Sequence, residues 1–204
     1  MLAGVTGLYC AGKNHVAALL STRGALVLDV DKLGWRVLDE KHAEITARWG
    51  GGIVDSGKVN RVALAKKVFT SGQELKALED IIHPAVNTYI EKWIKENGES
   101  FLIINAALIH KTEIFSRLDF LIVVEAPLVI RVLRARKRDK LDFCGIARRF
   151  MSQKTFALHY SEKKTDIYTI KNGGFGVFTR IARRSLEKQL DALPGLARFG
   201  GSNR

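Results

Sequence analysis

The sequence is poor in the residues that staple or interrupt a chain: 204 residues carry two cysteines and three prolines. Cys10 and Cys144 are too few and too far apart for a disulfide framework or a thiolate metal knuckle, which predicts a protein of the reducing cytosol. Scarce proline, with 47% apolar and 26% charged residues, argues against disorder over most of the length. Long apolar runs are also missing. Residues 120–124 form one of the longest, far short of a bilayer span. The first residues run from a brief apolar stretch straight into glycines, with no basic leader region or cleavage site, so no secretory signal is expected. No internal repeat is present. What remains is enough chain for one α/β domain with a sizeable core.

The formal charge of +12 is unevenly placed. Residues 127–164 hold eleven Lys/Arg against three acids, and residues 175–204 hold six against two, while the rest balances. A concentrated basic segment suits a polyanion, and nucleotide phosphates qualify as well as nucleic acid does. Strand-length apolar runs recur at 2–6, 25–29, 101–106, 120–125 and 167–171, separated by helical patterns. They predict a three-layer α/β/α fold with a five-stranded parallel sheet covered on both faces. Helices are expected over 13–23, from Pro84 in a first turn to Asn97, over 128–138, and over 177–193. In the third, Arg131, Arg134 and Arg138 share one face, while Val129, Val132 and Leu133 share another. Residues 32–100 exceed what one crossover needs and predict an inserted helical subdomain for substrate recognition. The tail from Gly200 is expected to fray.

The chemistry starts at Gly7-Leu-Tyr-Cys-Ala-Gly12-Lys13, which follows a strand and opens a helix, the context of a phosphate-binding P-loop. Glycines let backbone N–H groups converge on phosphate oxygens, the helix N-terminus adds partial positive charge, and Lys13 reaches the outer phosphates. The pattern calls for Ser or Thr next, to ligate Mg²⁺, and Asn14 stands there instead. An amide oxygen is a neutral donor of different geometry, so Thr6 or Asp29 would carry more of the metal binding. The second strand closes with Asp29-Val30-Asp31. Alternate strand residues point the same way, which would turn both carboxylates toward the phosphates. Transfer to a hydroxyl needs a proton acceptor, a role suited to Asp31, with Asp29 nearer the metal. The same pair also suits helix capping.

These features, followed by Arg61-Val-Ala-Leu64, Val68-Phe69 and Leu78-Glu-Asp-Ile-Ile-His83-Pro84, resemble the dephospho-CoA kinase family. Arg138-Asp139 with Arg149 and Gln153, then Asp166 with Ile170-Lys-Asn172, extend the resemblance over roughly residues 4–174. It implies ATP as co-substrate with Mg²⁺, and phosphorylation of the ribose 3′-hydroxyl of dephospho-CoA. It also implies a CoA-binding subdomain at 32–100 and a lid at 136–164. Asp31 would be the general base, and Lys13 and Arg138 would stabilise charge on the moving phosphoryl group. Gly7, Cys10, Ala11, Gly12, Lys13, Asn14 and His15 would meet ATP, with Arg138 and Arg149 clamping it. Thr6, Asp31, Arg61 and His83 would meet the acceptor. Beyond Asn14, the sequence departs from the pattern at Tyr9-Cys10-Ala11, at Trp35 where a polar residue is common, and at Ala106–His110, which lacks the family's proline and acid. The rivals are another small P-loop kinase, acting on a nucleoside monophosphate or small alcohol, and a basic nucleic-acid-binding protein with a relic loop. The paired aspartates favour a hydroxyl acceptor. A regulatory GTPase is disfavoured, because no N-K-x-D reads guanine.

Overall fold

A computed structural model describes residues 1–55, 57–139, 150, 165–174 and 179–194. Arg149, Gln153, Cys144, the tail and all but the first residues and Phe150 of the expected lid fall outside that set. Strands β1 (Leu2–Gly7), β2 (Leu26–Asp29), β3 (Val54–Asp55), β4 (Lys58–Val59), β5 (Leu102–Asn105), β6 (Phe120–Glu125) and β7 (Asp166–Lys171) alternate with helices α1 (Lys13–Ser21), α2 (Val30–Glu40), α3 (His42–Trp49), α4 (Arg61–Val68), α5 (Gly72–Glu96), α6 (Leu128–Asp139) and α7 (Thr179–Asp191). Five strands form one parallel sheet in the order β2-β5-β1-β6-β7. All five expected strands are present.

The chain divides into two compact units. One comprises Met1–Leu28 and Asn97–Arg204, the other Asp29–Glu96. In the first, β1 lies between β5 and β6, with Val5 opposite Asn105 and Gly7 opposite Val124. Its core joins Val5, Ile103, Ile122 and Val124 to Val16 and Leu20 of α1 and Leu186 and Leu190 of α7. Burial on both faces holds for β1, β5 and most of β6 only. The edge strands β2 and β7 leave Leu26 and Ile167 exposed, since each has a neighbour on one side alone. Among the described residues, no helix is long and apolar enough to cross a membrane.

The second unit is helical, with the short antiparallel β3–β4 hairpin that the sequence reading left out. Its core gathers Leu38, Ile45, Trp49, Ile53, Val59, Leu64 and Val68. Asn60 caps α4 by accepting from the N–H groups of Val62 and Ala63. Pro84 does not open a helix, as expected, but lies inside the 25-residue α5. An internal proline costs about 3 kcal/mol because it removes one hydrogen bond and crowds the preceding turn. Leu75, Leu78, Ile81 and Ile82 before it, and Val86 and Ile90 after it, pack inward and offset that cost. Pro84 and Asp80 are both exposed, so water can reach the carbonyl the proline leaves unpaired. His83 is therefore a half-buried mid-helix residue, not a helix-start one.

Candidate active site

The turn from β1 to α1 needs its two glycines for different reasons. β1 and β6 run so close that a Cβ on Gly7 would stand 2.6 Å from the Val124 carbonyl oxygen. Gly12 has φ 97° and occupies the N-cap of α1, where a Cβ would collide with the Asn172 carboxamide. No side chain caps α1, and such a helix N-terminus receives an anion readily. Cys10 also takes a positive φ, 60°. Burial pushes its thiol pKa up, with Arg138 partly opposing, so the group is a neutral thiol near pH 7.

What fixes the loop comes from α6. Arg131 Nε donates to the Tyr9 carbonyl at 2.8 Å. Arg134 donates to the carbonyls of Cys10 (3.3 Å) and Ala11 (2.9 Å), and also to Asn172 and Gly174. Asn172, buried, adds a bond from Nδ2 to the Ala11 carbonyl at 2.9 Å. A planar trans peptide sets each carbonyl opposite the next N–H. Pinning the Tyr9 and Ala11 carbonyls toward α6 therefore turns the N–H groups of Cys10 and Gly12 the other way, as in an anion-binding nest. Burial draws the pKa of both arginines down from the ordinary value.

α6 turns Arg131 and Arg134, rather than its apolar residues, inward. Arg131 is buried, whereas Leu128, Val129 and Leu133 are exposed, Val129 at 68%. The arginines turn inward because the loop carbonyls are acceptors that no apolar side chain satisfies. Arg131 and Arg134 are the residues that hold the loop carbonyls. Their three-residue spacing was the available signal.

Lys13 Nζ donates to Asn105 Oδ1 at 2.8 Å, and Asn105 Nδ2 donates to Asn14 Oδ1 at 3.2 Å. Asn105, buried at the end of β5, thus links the loop lysine to the departed Ser/Thr position. It went unnoticed in the sequence, although a polar residue closing the run Leu-Ile-Ile was a visible signal. His15 is exposed in the first turn of α1. Thr6 is fully buried, and its hydroxyl donates to the carbonyl of Ala107 just after β5. Arg138 is 60% exposed and holds Asp139 with Nε at 2.7 Å and a second nitrogen at 3.0 Å. Tyr9 donates its hydroxyl to the same carboxylate and lies under the Arg138 guanidinium. That hydrogen-bonded pairing pushes the Arg138 pKa up.

In the helical unit the argument from strand alternation fails. β2 stops at Asp29, which is the N-cap of α2, its Oδ1 accepting from the Lys32 N–H at 3.1 Å. Asp31 lies in the first helical turn and is exposed. The two carboxylates are therefore a cap and a helix-start residue, not neighbours on one strand face. Arg61 begins α4 with its guanidinium 4.1 Å from the Trp35 ring centroid.

A divalent cation arriving with nucleotide needs hard oxygen ligands, and Mg²⁺ keeps waters and phosphate oxygens around it. The Asn14 carboxamide oxygen, oriented by Asn105, fits that requirement as a neutral donor. Among the described residues no three His, Cys, Asp or Glu side chains gather into a metal-holding group.

Comparison with known proteins finds relatives along most of the chain. The family model described as dephospho-CoA kinase matches residues 1–173. A dephospho-CoA kinase of Treponema denticola is 30% identical over 183 residues, 84% of this chain and 82% of its own. One from Thermus thermophilus is 30% identical over 200 residues, 98% of this chain and 95% of its own. A solved crystal structure of a Thermus thermophilus protein superposes with a TM-score of 0.75 at 29% identity, covering 96% of this chain and 98% of that one.

Proposed function

This chain belongs to the dephospho-CoA kinase family and phosphorylates dephospho-CoA with ATP, and we propose that Asp31, Lys13 and Arg138 divide the work at the ribose 3′-hydroxyl. The observation that carries the reading is the pinned loop, whose carbonyls are held by Arg131, Arg134 and Asn172. Donors fixed in advance stabilise phosphoryl charge without reorganising during the reaction. Asp31 accepts the hydroxyl proton as the new O–P bond forms. Lys13 leaves Asn105 for the outer phosphate oxygens, an exchange of a neutral acceptor for an anionic one that favours charge-assisted bonding. Arg138 exchanges the Asp139 carboxylate for the transferring group, one anionic partner for another.

Mg²⁺ bound with the nucleotide supplies neutralisation of phosphate charge, and Asn14 is the residue to hold it, with Asn105 setting the amide's orientation. The unit Asp29–Glu96 serves the acceptor, with Arg61 and His83 among its contacts. Cytoplasmic location is part of the same proposal. The test is a coupled ADP-release assay with dephospho-CoA, adenosine and nucleoside monophosphates as acceptors. Dephospho-CoA is expected to be preferred by a wide margin. Equal turnover of a nucleoside monophosphate would overturn the acceptor assignment.

A further inference from the structure

Among the described residues the helical unit holds three arginine–aromatic pairs; Arg48 over Trp49 also bonds the Glu74 carboxylate, and the other two differ in one respect. Arg36 lies 4.6 Å from the Tyr89 ring centroid, and both groups share Glu40: Arg36 Nε is 3.5 Å from one carboxylate oxygen and the Tyr89 hydroxyl donates to the other at 2.8 Å. That stack is internally neutralised. Arg61 lies 4.1 Å from the Trp35 centroid, and among the described residues no carboxylate accompanies it. The guanidinium thus keeps its hydrogen-bonding fork for an external anion. Trp35 is 45% exposed, whereas Trp49 in the same unit is buried and donates its indole N–H to Glu74 at 2.6 Å. A large π-face left at the surface beside an unneutralised guanidinium matches a ligand that joins an aromatic ring to phosphate.

The position on α2 adds a distance. Asp31 and Trp35 are four residues apart in α2, so they share a face about one turn, ~6 Å, apart along the axis. A nucleoside's base stands off from its own ribose 3′-oxygen by a similar length. The acceptor carries an adenine, a ribose 3′-hydroxyl and a 5′-diphosphate. We infer that Trp35 and Arg61 form the adenine platform of the acceptor site: the base stacks on the indole, Arg61 backs the ring and reaches the diphosphate, and Asp31 lies one turn away at the 3′-hydroxyl. This deepens the kinase reading and rests on it for the choice of acceptor and for the role of Asp31. Trp35 is then a specificity residue that selects the adenylated acceptor over its pantetheine part alone.

The experiment is a tryptophan-fluorescence titration of the full chain without ATP, using dephospho-CoA and, separately, 4′-phosphopantetheine, which lacks adenine. Dephospho-CoA should quench emission, 4′-phosphopantetheine should not, and Trp35→Leu should lose the quench. In steady-state kinetics Trp35→Leu should raise the KM for dephospho-CoA ~10-fold, within the range of a lost base stack, with kcat and the KM for ATP nearly unchanged. Trp35→Phe should recover most of that loss, which a merely structural role would not require. Arg61→Lys, which keeps charge but loses the planar stack, should fall between. Equal quenching by 4′-phosphopantetheine, or an unchanged KM in Trp35→Leu, overturns the platform. The titration needs no turnover, so the two readings fail separately. An enzyme that phosphorylates dephospho-CoA without any quench overturns the platform alone. A quench that persists in a fully active Asp31→Asn supports the platform and overturns the base assignment.

Discussion

The phosphate loop and the helical unit are both furnished with arginines, yet they use them in opposite ways. Around the loop, Arg131 and Arg134 are drawn inward and give their donors to the carbonyls of Tyr9, Cys10 and Ala11. In the helical unit, Arg36 and Arg61 lie on the surface against Tyr89 and Trp35. The first arrangement fixes backbone before any ligand arrives. The second leaves side chains that water screens and that a ligand can reorganise. An enzyme that meets a triphosphate, whose charge is always the same, gains from rigid donors. One that must also recognise a larger acceptor gains from surface groups that close on it.

Four changes test that contrast, and the largest effect is expected where chemistry enters. Asp31→Asn should lower kcat by about 10²- to 10⁴-fold, the usual share of a general base, while ATP binding by calorimetry stays intact. Full activity would remove Asp31 from its role. Arg134→Ala should strike the rigid side: losing charge-assisted bonds to several carbonyls at once costs about 3 kcal/mol of stability, and the KM for ATP should rise with the unpinned loop. Chemical denaturation and ATP kinetics check both. If the loop were self-supporting, Arg134→Ala would move neither.

Asn14→Thr should restore a hydroxyl at the metal position and lower the Mg²⁺ concentration for half-maximal rate about 10-fold, the low end of ligand effects on metal affinity. An unchanged requirement would show that the amide serves as well. The smallest effect belongs to the surface of the helical unit. Glu74 accepts from Arg48 and from the Trp49 indole, which hold its pKa below the ordinary 4.5. Its contribution to stability is therefore present above pH 4.5 and is lost as pH falls through the lowered value. Glu74→Gln should flatten that acid-side loss in thermal melts between neutral and acid pH, with little change in activity.

Much of the fold was legible because a buried parallel strand must be apolar along its whole length. The runs at β1, β5 and β6 could hardly be anything else. Helix α5 was legible only in its second half. Proline is a local signal of a helix start, and the packing of Leu78 and Ile81 that carries the helix through Pro84 is not local. The inward turn of α6 was hidden for a related reason. Arginine counts as polar in any pattern, and only the loop carbonyls, more than a hundred residues earlier in the chain, make its burial favourable. Asp29 and Asp31 were found by position but misjudged in conformation, since a strand end and a helix cap share the same residue preferences.

The sequence by itself determined that a glycine-bounded loop follows a buried strand, and that two carboxylates stand near the second strand's end. Spacing and residue type suffice there, because glycine dihedrals, strand burial and carboxylate chemistry are properties of short segments. Only the tertiary structure decided which side chains hold that loop in shape. The loop's carbonyls, the α6 arginines, Asn105 and Asn172 come from distant segments, and a hydrogen bond depends on where atoms meet rather than on where residues stand in the chain.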